Sequence, residues 1–368
     1  MKVLHINSYY NGSIFYKKLY DKQINNGLDI DVFVPVSYSY KRTGVDLGRY
    51  TTISADYSKV DRLLFHLKHH KIYKDVVKRY EINDYSIVHA HSLFSNGYIA
   101  MRLKQKYGVP YIVTVRNTDV NTFFKYMIHL RRLGVQILEN AGRIIFLSKS
   151  YRDNVIEKYV PLNLQEEIYN KSSIIPNGID DFWFRNKGSV RNISNKNNLR
   201  LLHVGVVNKN KNIITTIKAI EILKQEGCNV EFSIVGRIED ESIYNQIKDL
   251  SYINYVSTKS KEELLQIYRT NEICVMPSIY ESFGLVYAEA LSQGLPVIYT
   301  RGQGFDGQFE DGEVGYSVLH DSPKEICIAI EKIINQYSNI SGRCLKSSER
   351  FVWDKIVNEY WNIYLGIS

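Results

Sequence analysis

Along almost the whole 368-residue chain, short apolar runs alternate with stretches of helical periodicity, and this rhythm restricts the fold more than any other feature. In the first half Val3–Ile6, Ile30–Val34, Ile87–His89, Tyr111–Val115, Ile144–Leu147 and Ser173–Ile175 read as strands, and 13–26, 59–80, 95–107, 122–140 and 150–159 as helices. The second half repeats the style. Leu201–Val204, Val230–Val235, Ile253–Val256, Ile273–Met276 and Pro296–Tyr299 read as strands, and 213–226, 241–250, 261–270, 284–293 and 323–337 as helices. Strands that trade places with helices predict parallel sheets covered on both faces, so the fold class is α/β, built as two units. The length also fits two domains rather than one. Between the halves, Arg185–Asn198 is polar and poor in large apolar residues. It marks a linker at 186–199, between a domain at 1–185 and one at 200–345. Ligands of open α/β sheets bind at the carboxyl ends of strands, so a cleft between two facing units is the expected site.

Composition narrows the class. Hydrophobic residues make up 44% of the chain, enough for a large core, and no apolar run approaches the length that crosses a bilayer. Met1–Ile6 is too short for a signal peptide and runs into Asn-Ser-Tyr-Tyr. Four widely spaced cysteines, Cys228, Cys274, Cys327 and Cys344, form no metal pattern, and a reduced, cytoplasmic protein is expected. Charge is uneven. Residues 1–180 hold 26 Lys+Arg against 16 Asp+Glu, whereas the remainder holds 21 against 23. The basic half should attract anions, and with no nucleic-acid-binding motif present, nucleic acid is not an expected partner.

The most telling stretch chemically is Glu281-Ser-Phe-Gly-Leu-Val-Tyr-Ala-Glu289. The strand Ile273–Met276 delivers Glu281 to a loop, and the loop opens a helix that ends near Gly294. A helix N-terminus offers free N–H groups and partial positive charge to an anion such as diphosphate. Glu289 follows just over two turns later, near the same face. Two carboxylates beside an anion site suit a ligand rich in hydroxyls, and a nucleotide-sugar is the natural inference.

This stretch resembles the E-x7-E element of the retaining glycosyltransferases of family 4. These have the GT-B fold, two Rossmann-like doubly wound parallel-sheet domains facing a central cleft. Val275-Met-Pro-Ser278 before it and Gly294-Leu-Pro-Val297 after it strengthen the likeness. Ile174–Asp180 resembles the family's element before the domain crossover, and Phe351–Tyr364 its closing helix. The resemblance therefore covers nearly the whole chain, with 346–368 returning to the first domain. It implies that Glu281, Ser282, Phe283, Gly284 and Leu285 meet the sugar and diphosphate, and that Glu289 holds the ribose. Leu202–Asn212 resembles the loop that grips the diphosphate. Lys211 stands at the family's lysine and Gly205 at its glycine, with Val206 where the family has arginine. Lys209 is expected to assist. Arg237 either substitutes for the missing cation or is a solvated or base-stacking loop residue. Base recognition is expected near Val256–Lys259, largely through backbone atoms. In the first domain Gly12 fits a glycine loop near the donor phosphates. Val88-His-Ala-His91 resembles a strand-end motif whose histidines line the cleft or are structural. Arg116-Asn117 replaces the family's His-Gly, and Asp119 keeps its place on the acceptor side. Arg116 cannot serve as a base, so an electrostatic role is expected. Asp29-Ile-Asp31 imitates a metal site but begins a strand, and no metal and no cofactor are expected.

Two basic stretches remain. Lys59–Tyr80 can form a basic amphipathic helix, and Lys125–Leu133 is a second such run. They read either as a docking face for an anionic membrane or as solvated helix faces covering a sheet. The expected activity is a retaining, metal-independent transfer of a hexose or N-acetylhexosamine from a nucleotide diphosphate donor, with UDP favoured. The acceptor would be a cell-surface polysaccharide or a lipid-linked oligosaccharide. A UDP-sugar 2-epimerase on the same fold and a non-catalytic nucleotide-sugar-binding partner subunit are the alternatives, the latter kept open by Val206 and Arg116.

Overall fold

The computed structural model describes residues 1–11, 14–41, 44–193 and 198–367. The chain divides into two compact units. The first comprises Met1–Leu147, Tyr151–Ile175 and the chain from Trp353 onward, and the second comprises Ser148–Ser150 and Pro176–Val352. Each is a parallel sheet with helices on both faces.

In the first unit the strands are β1 (Lys2–Ile6), β2 (Asp29–Ser37), β3 (Thr51–Tyr57), β4 (Ile87–Ala90), β5 (Tyr111–Val115), β6 (Arg143–Phe146) and β7 (Ser172–Ile174). They lie in the order β3-β2-β1-β4-β5-β6-β7. One face of the sheet buries Leu4, Phe33, Val88, Val113 and Phe146 under the helices Phe65–Arg79, Ser95–Tyr107 and Arg131–Asn140. The other buries Val3, Val32, Ile112 and Ile145 together with Trp353, Ile356, Val357, Tyr360 and Tyr364 of the closing helix, Trp353–Leu365.

In the second unit the strands are β8 (Asn198–Val204), β9 (Asn229–Val235), β10 (Ile253–Val256), β11 (Ile273–Met276), β12 (Val297–Thr300) and β13 (Gly315–Val318), in the order β10-β9-β8-β11-β12-β13. Among the described residues no helix is long and apolar enough to cross a membrane.

Four differences from the sequence reading have physical causes. β3 was not expected, because Thr51-Thr-Ile-Ser-Ala-Asp-Tyr57 is polar and sits at a sheet edge, where one side needs no apolar cover. β13 opens on a glycine and is four residues long, too short to show a period. The single helix read at 122–140 is three pieces: a wide π-type turn at Asp119–Phe124, a 3₁₀ turn at Ile128–Leu130 and a helix at Arg131–Asn140. Of the expected linker, Gly188 donates its N–H to Ser292 O (2.9 Å), and Arg191 donates to the Tyr268 carbonyl (3.1 Å). That stretch is thus strapped onto the second unit, while 194–197 lies outside the described residues.

Candidate active site

The second sheet reverses its strand order between β8 and β11, so the loops leaving those strands diverge at their carboxyl ends. Alternate asparagines stitch the two loops together. Asn210 donates Nδ2–H to Tyr280 O and accepts from Tyr280 N–H, both at 3.0 Å, and its carbonyl accepts from Ile279 N–H at 2.8 Å. Asn208 caps the turn Lys209–Lys211 by accepting from Lys211 N–H at 3.0 Å. Asn212 holds φ 55°, a conformation asparagine tolerates, and donates to Pro277 O at 2.9 Å.

This frame sets Lys211 against Glu281, Nζ to Oε2, at 2.6 Å, with both side chains largely covered. Gly205 lies beneath the lysine stem, where an added methyl would come within 3.5 Å of Cε. Glu281 is fixed from its other side too. Its N–H donates to Gln303 Oε1 (3.1 Å), its carbonyl accepts from Gly304 N–H (3.0 Å) and its Oε1 accepts from Ser282 N–H (3.0 Å). Ser282 is exposed, whereas Phe283 is buried and packs edge-on against Phe305 and Phe351, anchoring the loop. Gly284 then starts the helix Leu285–Ser292 at φ 75°, with the Tyr287 ring where a side chain would stand. No side chain caps this terminus. Its leading N–H groups and dipole favour an anion beside the Lys211–Glu281 pair.

Glu289 accepts from Tyr268 Oη–H at 3.1 Å. Burial raises its carboxyl to about 7, against the hydrogen bond from Tyr268. The ion pair Lys261–Asp180 flanks it with opposing effects, and Trp183 stands edge-on to Tyr268. Lys209 is exposed at the same loop. Arg237 is exposed and ion-paired with Glu239, which also accepts from Asn208 Nδ2 at 2.9 Å, so it joins the Lys211 turn at one remove.

In the first unit the order reverses between β1 and β4. His5 on β1 faces His89 on β4 in register, and His91 follows one residue past the strand on the same face. All three rings are buried. His5 Nδ1 meets His91 Nε2 at 3.0 Å, His91 Nε2 meets Tyr20 Oη at 3.3 Å, and His89 bridges Tyr364 Oη (2.8 Å) and Thr114 Oγ1 (2.9 Å). Burial is the main reason each stays uncharged. His5 is lowered to about 3, and His89 and His91 fall well below the usual value, with Arg116 adding to the effect. His91 is thus a core residue rather than a group presented to solvent. Arg116 leaves the end of β5 almost fully buried, its Nε near the His91 carbonyl (3.4 Å) and its guanidinium 5.6 Å from the Tyr16 ring centre. Asp119 accepts from Arg116 N–H (2.9 Å), Leu93 N–H (2.9 Å) and Phe94 N–H (3.1 Å), which ties the loops after β4 and β5 together. Gly12 lies outside the described residues.

His5, His89 and His91 are the residues with metal-ligand spacing among those described, each offering a nitrogen within 4.8 Å of the others. His5 Nδ1, His91 Nε2 and both nitrogens of His89 have partners in one another and in neighbouring hydroxyls, whereas His5 Nε2 and His91 Nδ1 are buried without one, and the Arg116 charge disfavours a cation there.

Comparison with known proteins gives this geometry its setting. A family model described as "Glycosyltransferase Family 4" matches residues 15–181, and one described as "Glycosyl transferases group 1" matches residues 185–350. The chain is a glycosyltransferase of the GT-B type. A glycosyltransferase of Methanocaldococcus jannaschii is 26% identical over 81% of this chain and 80% of its own length. The capsular polysaccharide biosynthesis glycosyltransferase CapM of Staphylococcus aureus is 28% identical over 70% of this chain and 71% of its own. Among solved structures, the apo form of the lipopolysaccharide outer core galactosyltransferase WaaB superposes with a TM-score of 0.78 at 13% identity, over 100% of this chain and 99% of that one. Anabaena HepE in complex with UDP and glucose superposes with a TM-score of 0.67 at 14% identity, over 98% of each chain.

Sequence reasoning placed Glu281, Lys211 and Gly284 in one loop cluster of this transferase but missed the residues that hold them. Asn208, Asn210 and Asn212 recur at every second position, a signal that could have been read as a stitched loop. Gln303 and His5 gave no local signal.

Proposed function

We propose that this transferase moves a hexose or N-acetylhexosamine from a UDP-linked donor, with retention of anomeric configuration and without a metal ion. The acceptor is a cell-surface polysaccharide or a lipid-linked oligosaccharide on the cytoplasmic side of a membrane. The observation that carries the reading is the Lys211–Glu281 contact of 2.6 Å beside the uncapped start of helix Leu285–Ser292. The UDP and glucose bound in HepE, and the capsular role of CapM, support the choice of donor and acceptor classes.

In this reading Glu281 accepts from donor-sugar hydroxyls and Glu289 from ribose hydroxyls. The bond from C1 to the diphosphate oxygen breaks as the acceptor oxygen bonds to C1 on the same face. The acceptor proton passes to the leaving phosphate oxygen. Lys211 and the N–H groups at Gly284 and Leu285 take up the charge that develops on the diphosphate. Lys209 and Arg237 add cationic charge at the rim, and Arg237 would leave Glu239 to do so. Arg116 supplies fixed positive charge on the acceptor side, and Asp119 sets the loop that carries it.

The test is turnover of UDP-hexoses by purified protein, with the product anomer read by NMR. A retained anomer is expected, with turnover insensitive to EDTA. Glu281→Gln should lower the rate about 10³-fold with an unchanged circular dichroism spectrum. An inverted product overturns retention, loss of activity in EDTA overturns metal independence, and an unaffected Glu281→Gln removes Glu281 from the site.

A further inference from the structure

Among the apolar side chains that the first unit turns to solvent, four fall within one short stretch of chain. Val60 is 69% exposed and Leu63 85%, and Leu64 and Leu67 beside them are also exposed. Val60 and Leu63 share one side of the 3₁₀ turn Val60–Leu63, Leu64 joins that turn to the helix Phe65–Arg79 in a non-helical conformation, and Leu67 lies in the helix's first turn. The core-facing side of the same helix is a different set, His69, Ile72, Tyr73 and Val76. The leucines are therefore not the stripe that covers the sheet. Further along the line of Leu67 the helix carries Lys74 and Lys78, both exposed.

A second exposed apolar pair lies on the loop before helix Arg131–Asn140. Tyr126 is 64% exposed and Ile128 67%, with exposed Lys125, His129 and Arg132 around them. The two segments are neighbours, because Phe65 packs edge-on against Phe123 with ring centres 6.1 Å apart. The same two segments carry the exposed basic residues Lys59, Arg62, Lys74, Lys125 and Arg132 beside these apolar ones.

We infer that this face, formed by Val60, Leu63, Leu64, Leu67, Tyr126 and Ile128, inserts into the headgroup region of an anionic lipid bilayer. Leucine and isoleucine enter the acyl boundary while lysine and arginine meet lipid phosphates, the pattern of an interfacial helix. These basic residues also decide against a second copy of this chain, since two such faces would meet as like charges. The inference rests on the proposed lipid-linked or surface acceptor, and it tells how the enzyme reaches it.

Flotation of the full chain with vesicles tests this without donor or acceptor. Wild-type protein should float with vesicles of equal phosphatidylcholine and phosphatidylglycerol and not with phosphatidylcholine alone. The bound fraction should fall at about 1 M salt, where screening shortens to about 3 Å. Leu63→Asp combined with Ile128→Asp, two substitutions at solvent-facing positions, should weaken vesicle binding at least about tenfold. UDP-sugar hydrolysis by the double variant should match wild type. Failure to bind anionic vesicles, or equal binding by the double variant, overturns the surface. A dimer in light scattering that the double variant dissociates also overturns it, in favour of self-association. Vesicle binding with no sugar turnover would instead count against the catalytic reading alone.

Discussion

Each unit holds a carboxyl with a raised pKa, Asp119 fully buried and Glu289 half-buried in the helix Leu285–Ser292, and the two are held in different ways. Asp119 in the first unit is raised to about 6 by burial, although three backbone N–H groups and Arg116 pull it down. Glu289 in the second is raised to about 7 by burial, with Tyr268 and Lys261 opposing. The difference is the partner type. Backbone amides cannot leave Asp119 without moving two loops, so it acts as a clamp. Glu289 is held instead by a side chain, the buried Tyr268, and in the proposed reading its carboxylate is left to accept from a ligand hydroxyl. A raised carboxyl pKa thus marks burial in both units, and the kind of partner, backbone amide or side chain, distinguishes the clamp from the group proposed to bind ribose.

Three experiments press on that contrast. The largest stability effect is expected for Asp119→Ala, which strands three buried N–H groups and should cost about 3 kcal/mol in denaturant unfolding. UDP binding, carried by the second unit in the proposed reading, should survive in conditions where the variant stays folded. A loss below about 1 kcal/mol would mean the clamp is dispensable. Next, Lys211→Ala should lower turnover about 10²-fold and weaken UDP binding, because it removes a cation from the leaving group and leaves Glu281 without it. Loss of folding without loss of UDP affinity per folded molecule would make the pair structural.

The smallest effect is in Glu289→Gln. Folded Glu289 releases its proton near 7, against the usual 4.5. Between those values the fold keeps a proton that the unfolded chain has lost. The stabilisation is complete below the lower value and fades as pH rises through the upper one. Glutamine is neutral throughout, so the variant should gain stability relative to wild type from pH 5 to pH 8 by roughly 2.5 kcal/mol. Asp119 titrates in both proteins and cancels. A flat difference across pH would show that Glu289 is solvated in the folded state.

The fold was legible wherever burial on both faces forces an apolar run, as at Val3–Ile6, Tyr111–Val115 and Ile273–Met276. It was illegible at β3, where an edge position relaxes the requirement, and at 119–130, where a wide turn interrupts a run that still looks helical. The candidate site was legible through Glu281, Gly284 and Lys211, because charge and backbone freedom are written in residue type. What holds them was not. Gln303 reaches Glu281 N–H from 22 residues away, and His5 meets His91 across 86. Such contacts depend on strand order, which the local pattern does not encode. The buried state of His91 was hidden for the same reason, since His5 on the neighbouring strand and Tyr16 and Tyr20 of the first helix, Ile14–Asn25, seal it.

The closing helix has a consequence for biogenesis. Trp353, Ile356, Val357, Tyr360 and Tyr364 complete the core of the unit whose first strand begins at Lys2. A ribosome therefore releases the second unit's entire sequence before the first can seal its sheet, and the lobe begun earliest matures last. Until then the half-covered strands β1, β2, β5 and β6 lie open to chaperones and to aggregation, and a nascent chain stalled before residue 353 would be the vulnerable species.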